Sequence, residues 1–192
     1  MKTIADITQD LRGQLCWGVR WDNQLNMSMS FGEPHLEVVR EPYTSKSKSS
    51  RIQEGSSYRT VKVTGEWWLW IFCAHWKLRV SDLLTATNSS SARKKMMAMS
   101  RLDGQKLKDI RVNPLSGTTE FAFDLGATLL ARRYEQDDAD IWTLYKSNGF
   151  VLAVRGDGTF TYARGTTPRD KEKPRQIGTP NQAMQPTGIA GG

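Results

Sequence analysis

Apolar residues alternate with polar ones, or fill runs too short for a helix, along most of this chain. Val19 and Trp21 alternate with Arg20 and Asp22, and Asn23-Gln24 suits a tight turn into residues 25–31. Residues 36–40, 66–74 and 76–80 read as further strands. The same reading applies to 107–112, 120–125, 129–133, 140–146, 150–154 and 159–162, with turn signals at Asn113–Gly117 and Asp157-Gly158. Two segments have helical spacing instead. Ile4, Ile7 and Leu11 form one stripe, closed by Gly13. Ala92, Met96, Met99 and Leu102 form another after Ser90 or Ser91, closed by Gly104.

The order of these elements repeats. Leu11-Arg12-Gly13-Gln14 returns as Leu102-Asp103-Gly104-Gln105, and Met27–Gly32 returns as Phe121–Gly126. Residues 66–80 align with 140–154 without a gap, which pairs Trp68 with Trp142 as equivalent core positions. The expected fold is mainly β (α+β). Two pseudo-repeated units of about five antiparallel strands, each led by a short helix, pack as one body. The expected divisions are a first β-unit over 1–88, a helix plus second β-unit over 89–163, and a disordered tail over 164–192. Residues 43–59, rich in Ser and Lys, read as a mobile loop within the first unit. The tail, rich in Pro, Gly, Gln and Thr, has too little apolar area to offset ordering.

Charge changes this picture only by its location. The formal net charge is +7 over 192 residues, but it is concentrated. Residues 43–62 carry five bases against one acid, residues 89–102 four bases and no acid, and residues 164–175 five bases against two acids. The β-units themselves are therefore slightly acidic, which argues against a shaped nucleic-acid groove on them. Cys16 and Cys73 make neither a disulfide framework nor a zinc spacing. No apolar run approaches the ~18 residues a membrane helix needs, and no secretory signal opens the chain. A reducing, cytoplasmic setting in a bacterium is the expectation.

Catalytic chemistry is sparse. His35 lies at a strand start and His75 inside an apolar stretch, and no Gly-x-Ser-x-Gly elbow, phosphate loop or metal cluster accompanies them. Glu66 and Asp140 precede the repeated tryptophans and would matter only if they faced each other, and exposed strand-start acids are the simpler reading. Arg155-Gly156-Asp157 leads into an Asp-Gly turn. No catalytic residue, metal or cofactor is assigned.

The aligned units differ in one respect. Trp17, Leu69, Phe72 and Cys73 of the first unit stand against Lys108, Thr143, Lys146 and Ser147 of the second. This surplus apolar surface needs a cover, either the Met96/Met99 face of the helix or a partner. Trp17, Leu69, Phe72 and Cys73 are therefore the candidate partner-binding residues. The Leu-x-Gly-Gln motif together with Gly65-Glu66-Trp67-Trp68-Leu69 resembles a small uncharacterised bacterial β-rich family with a Gly-x-Trp-x-Leu strand. Some of its members sit in toxin-immunity neighbourhoods, and the resemblance implies no activity. The sequence thus points to a non-enzymatic protein-binding module of unknown partner, an immunity-type inhibitor, or a self-associating chain. The first alternative is a nucleic-acid-associated accessory protein that contacts phosphates through Arg93, Lys94 and Lys95 on the basic helix 90–102 and through loop 43–59. This alternative is not favoured, because the aromatics lie in the strands and the lysines outside them. The second alternative is an enzyme with an unrecognised site.

Overall fold

A computed structural model describes residues 2–22, 26–72, 74–134 and 139–178. A capping box starts the ordered chain. The Thr3 hydroxyl accepts from the Asp6 amide and the Asp6 carboxylate accepts from the Thr3 amide. Helix α1 (Ile4–Ile7) then turns Ile4 and Ile7 inward. Strands β1 (Cys16–Trp21) and β2 (Met27–Phe31) follow, then β3 (His35–Arg40), helix α2 (Ser50–Ser56) and β4 (Thr60–Thr64). Next come β5 (Trp67–Ile71), β6 (Ala74–Ser81), β7 (Leu84–Thr87) and helix α3 (Ala92–Leu102). The rest is β8 (Leu107–Val112), β9 (Thr119–Phe123), β10 (Thr128–Arg133), β11 (Asp140–Lys146), β12 (Phe150–Arg155), β13 (Thr159–Arg164) and β14 (Arg175–Gln176). The chain is mainly β, as its patterning predicts, with more strands before α3 than the five expected.

The strands form two main antiparallel sheets. One runs β1-β2-β5-β11-β12-β13-β14 and the other β7-β6-β10-β9-β8, while β3 and β4 pair only with each other. The inner faces meet over one core. Met27, Met29, Phe31, Leu69, Ile71, Trp142 and Leu144 come from the first sheet. Trp76, Leu78, Leu107, Phe121 and Leu129 come from the second. Trp142 spans the gap, its indole N–H donating to the Thr119 hydroxyl at 2.7 Å and its ring meeting Phe121 edge-on at 5.5 Å.

The chain changes sheets between β5 and β6, whereas β11 and β12 form a hairpin within one sheet. The gapless equivalence of residues 66–80 with 140–154 is therefore not reflected in the strand pairing. Trp68 does not share the environment of Trp142. It lies on the outer face of β5, half-buried, while Trp142 is fully buried. Instead, a buried tryptophan stands where strands of different segments pair in each sheet, Trp142 opposite Ile71 and Trp76 opposite Ala131, and Trp67 of β5 is buried as well. The two Leu-x-Gly-Gln turns do meet. Gly13 N–H donates to Leu107 O and Gly104 N–H to Cys16 O, both at 2.7 Å. Cys16 N–H donates to Gln105 O at 2.8 Å and Leu107 N–H to Gln14 O at 3.0 Å. Both glycines have positive φ, 84° and 85°, as the turn requires.

Helix α3 packs against β1, β6 and β7 with a different stripe from the one its methionines suggest. The buried residues are Lys95, Ala98, Met99 and Leu102, and Met96 is exposed. Lys95 takes the inward place because its stem is apolar and its ammonium finds aromatic faces. Its Nζ lies 5.9 Å from the Trp21 ring centroid and 6.0 Å from that of Trp76.

The described part of the tail is docked on the sheet. Residues 165–178 are ordered, with β14 pairing on β13 and Ile177 packing against the core. Arg169 pairs with Asp140 at 2.9 Å, Glu172 accepts from the Thr161 hydroxyl, and the Arg175 guanidinium lies 4.5 Å from the Phe160 ring centroid. Few of these residues are large and apolar, so they are held by charge and edge pairing rather than by a core of their own. Residues 179–192 lie outside the described chain. Ending the chain at Arg164 rather than Gly178 is expected to cost about 2 kcal/mol, or about 4–8 °C in Tm for a protein of this size. Differential scanning calorimetry reads this, and equal melting temperatures would show that the docked segment contributes nothing. Within the expected loop 43–59, α2 provides an ordered turn of helix. No helix among the described residues is long and apolar enough to cross a membrane.

Candidate functional site

The outer face of the seven-stranded sheet is unusual in being aromatic. In β5 every residue is apolar, so both faces of the strand are. Trp67, Leu69 and Ile71 turn inward, which leaves Trp68 and Trp70 outward. Trp68 and Trp70 stack at 5.9 Å and 13° between planes. Phe72 stacks on Trp70 at 4.4 Å, and Tyr145 of β11 lies 5.0 Å from Trp68. The four rings form one continuous half-buried row.

Polar side chains from β1 and β2 flank this row. Trp17 pairs with Ser30, which pairs with Trp68, so the three share a face. Arg20 pairs with Ser28, which pairs with Trp70, and they form the next rung. Strict alternation from Trp17 would turn Arg20 inward. The register shifts between Trp17 and Arg20, where Gly18 adopts φ +63°. This bulge re-aims Arg20 onto the outer face.

The β3–β4 hairpin leaves the sheet at this point as an arm. Its two roots are pinched. A side chain at Gly65 would run into the Phe31 carbonyl oxygen, and Gly32 (φ +75°) is pressed against Glu66. The indole N–H of Trp17 donates to the Gly32 carbonyl at 2.9 Å and fixes the same corner. The arm lays its polar face over the rings: Lys62 Nζ lies 5.3 Å from the Trp68 ring centroid, and Lys62 also pairs with Glu37 at 3.1 Å. Its other face carries Leu36, Val38, Val61 and Val63, paired across the hairpin, with Leu36 74% exposed.

Between arm and sheet is a cleft of about 330 Å³. Trp68 and Trp70 line its floor, Arg20, Trp21, Ser28 and Ser30 one wall, and Lys62, Val63 and Thr64 the other. Asp22 and Asn26 close one end, and two Asn26 N–H groups donate to the Asp22 carboxylate at 3.0 and 2.7 Å. Lys95 contacts the ring of Trp21, so α3 abuts the same wall.

The structure separates the four candidate partner-binding residues. Trp17 and Phe72 lie on the outer face of the seven-stranded sheet. Leu69 does not: it is fully buried between Met29 and Leu144 and is unavailable to a partner. Cys73 lies outside the described residues. The methionine face of α3 does not cover the patch, because the helix packs at β1, β6 and β7 and leaves Met96 exposed. Of the candidate phosphate contacts, Arg93 and Lys94 are exposed and Lys95 is buried. Sequence reading missed Arg20, Trp70 and Lys62. The glycine inside β1 was the available signal for Arg20, since an interior strand glycine marks a bulge.

The residues weighed for catalysis do not assemble. Glu66 and Asp140 lie at opposite ends of β11, ~20 Å apart at the strand rise, because Trp67 pairs with Lys146. Asp140 is held by Arg155 at 3.3 Å and Arg169 at 2.9 Å. His35 bonds with the Thr64 hydroxyl at 3.1 Å, and His75 stacks on Tyr134 at 4.5 Å. Asp157 accepts from the Thr159 amide and hydroxyl in its turn. Cys16 is buried, and burial followed by the charge of Asp103 pushes its thiol far above the usual range, so it is no nucleophile. No group of three metal-ligating side chains occurs among the described residues. Comparison with protein-family models, with curated proteins and with solved structures finds no match in any of the three.

Proposed function

We propose that this chain is a non-enzymatic binding module and that its recognition site is the cleft between the β-arm and the tryptophan row. The observation that carries this reading is the placement of Trp68 and Trp70 on a solvent-facing sheet surface beneath an arm whose roots are fixed by Gly32 and Gly65. Large aromatic side chains half-exposed in a concavity beside hydroxyls and a cation suit a ligand with rings and negative charge. The toxin-immunity setting of the family that the sequence resembles fits binding rather than turnover. A partner protein is the competing occupant, favoured by the apolar outward face of the arm.

An anionic aromatic probe tests the cleft without knowledge of its natural ligand. 8-Anilinonaphthalene-1-sulfonate is expected to bind with one-to-one saturation and to quench tryptophan emission. Ser28→Glu, which places bulk and negative charge on the cleft wall, is expected to abolish that binding and leave the circular dichroism spectrum unchanged. Binding that Ser28→Glu does not weaken, or no saturable binding below about 1 mM, overturns the assignment.

A further inference from the structure

We propose that the cleft binds single-stranded nucleic acid, an inference that rests on reading the cleft as the binding site. The fold removes the objection raised by the sequence, in which basic and aromatic residues lay in different segments. Of the two basic segments before residue 103, 43–62 brings Lys62 into the cleft and 89–102 packs behind the Trp21 wall through Lys95. The arm brings Lys62 over Trp68, and α3 packs on β1 behind Trp21, with Arg93 and Lys94 exposed on its outer side. Between them the bulge turns Arg20 outward, and this guanidinium has no ion pair among the described residues. The acid in the cleft, Asp22, already accepts two N–H groups from Asn26.

This is the arrangement that single strands require: π surfaces in a row with cations alongside for the backbone. Trp68 and Trp70 supply the cleft floor, their centroids 5.9 Å apart, and Tyr145 and Phe72 continue the row beyond the cleft at centroid distances of 5.0 and 4.4 Å. A duplex keeps its bases stacked on one another and gains nothing from such a floor, and the arm bars it from a cleft of about 330 Å³. An acidic peptide would pair with Arg20, Lys62 being already paired with Glu37, but leave the indoles unused. The serine hydroxyls at 28 and 30 add neutral donors beside the rings, which suit phosphate or base edges alike.

Fluorescence anisotropy on the full chain tests the proposal, with labelled oligothymidylate and oligouridylate of about twelve nucleotides. A blunt duplex and a polyglutamate peptide serve as competitors. Single strands are expected to bind, with a log–log salt slope near −0.7 per phosphate contacted between about 50 and 200 mM salt. Arg20→Ala is expected to make the slope shallower by about 0.7. Trp70→Ala is expected to weaken affinity about 5- to 150-fold, the range for one lost base–aromatic stack. Ser28→Glu serves as a second cleft variant if Trp70→Ala proves unfolded. Four results overturn the proposal: no oligonucleotide binding, duplex competing as well as single strand, polyglutamate competing as well as either, or variants that leave affinity unchanged. If the sulfonate probe still binds one-to-one while oligonucleotides do not, the ligand class is wrong and the cleft assignment stands. If neither binds the folded protein, both are wrong.

Discussion

Trp142→Ala is expected to destabilise the protein by about 3–5 kcal/mol, measured by urea denaturation. The indole is fully buried between the sheets and packs edge-on against Phe121. Its removal leaves a cavity lined by β9 and β5, which strand pairing on both sides prevents from collapsing. One hydrogen bond is lost as well. The Thr119 hydroxyl accepts from the indole and donates to the Gly117 carbonyl, so it keeps one partner when the ring is gone. Trp142→Phe separates the contributions: it retains most of the apolar bulk, and its cost should be closer to that of one hydrogen bond, about 1 kcal/mol. A Trp142→Ala protein within about 1 kcal/mol of wild type would remove this residue from the set that holds the sheets together.

Leu69→Asp is expected to leave the protein unfolded at room temperature, seen as loss of the near-ultraviolet circular dichroism signal. Leu69 sits in the middle of β5, with Met29 beside it on one strand and Leu144 on the other. A carboxylate there has no cation within the buried set around it, and an unpaired buried charge costs several kcal/mol or forces protonation. That loss, added to the lost apolar burial, is comparable with the whole stability of a typical domain. The neighbouring outward position gives the contrast. Trp70→Ala lies one residue away on the opposite face and should fold. A folded Leu69→Asp protein with native spectra would mean that β5 presents its faces the other way round.

These two residues also show what was legible in the sequence. The strands and turns could be read because period-two alternation and Asp-Gly or Asn-Pro punctuation are local signals. Residues 67–72 could not be assigned to faces, because every one of them is apolar and a continuous apolar run reads as buried on both sides. The comparison with polar counterparts in the second unit groups Leu69 with Phe72, although they point to opposite sides of the sheet. The direction of α3 failed for a related reason: Lys95 counts as polar in any periodicity, yet its stem and its contacts with Trp21 and Trp76 make it an inward residue. The cleft depends on pairings between β1, β2, β4 and β5, a bulge at Gly18 and pinched arm roots. Only the bulge has a local signal, the glycine inside β1, and the pairings and pinched roots are not encoded at a spacing that a linear pattern can show. Composition measures apolar content and does not show how residues 165–178 are held, since Arg169, Glu172 and Arg175 find partners distant in the chain.

The change of sheet between β5 and β6 has a consequence for how the molecule is made. When residues 1–88 have been synthesised, β5 lacks its neighbour β11 and β6 lacks its neighbour β10. The nascent chain therefore holds a tryptophan-rich strand with one edge unpaired until some sixty further residues have emerged, about 3–12 s at ordinary translation rates. The ring of hydrogen bonds between Gly13 and Leu107 closes across a longer stretch, the 94 residues from 13 to 107. Such long-range closure is slow and comes late, so the half-made protein is the form most exposed to misassociation and to chaperones.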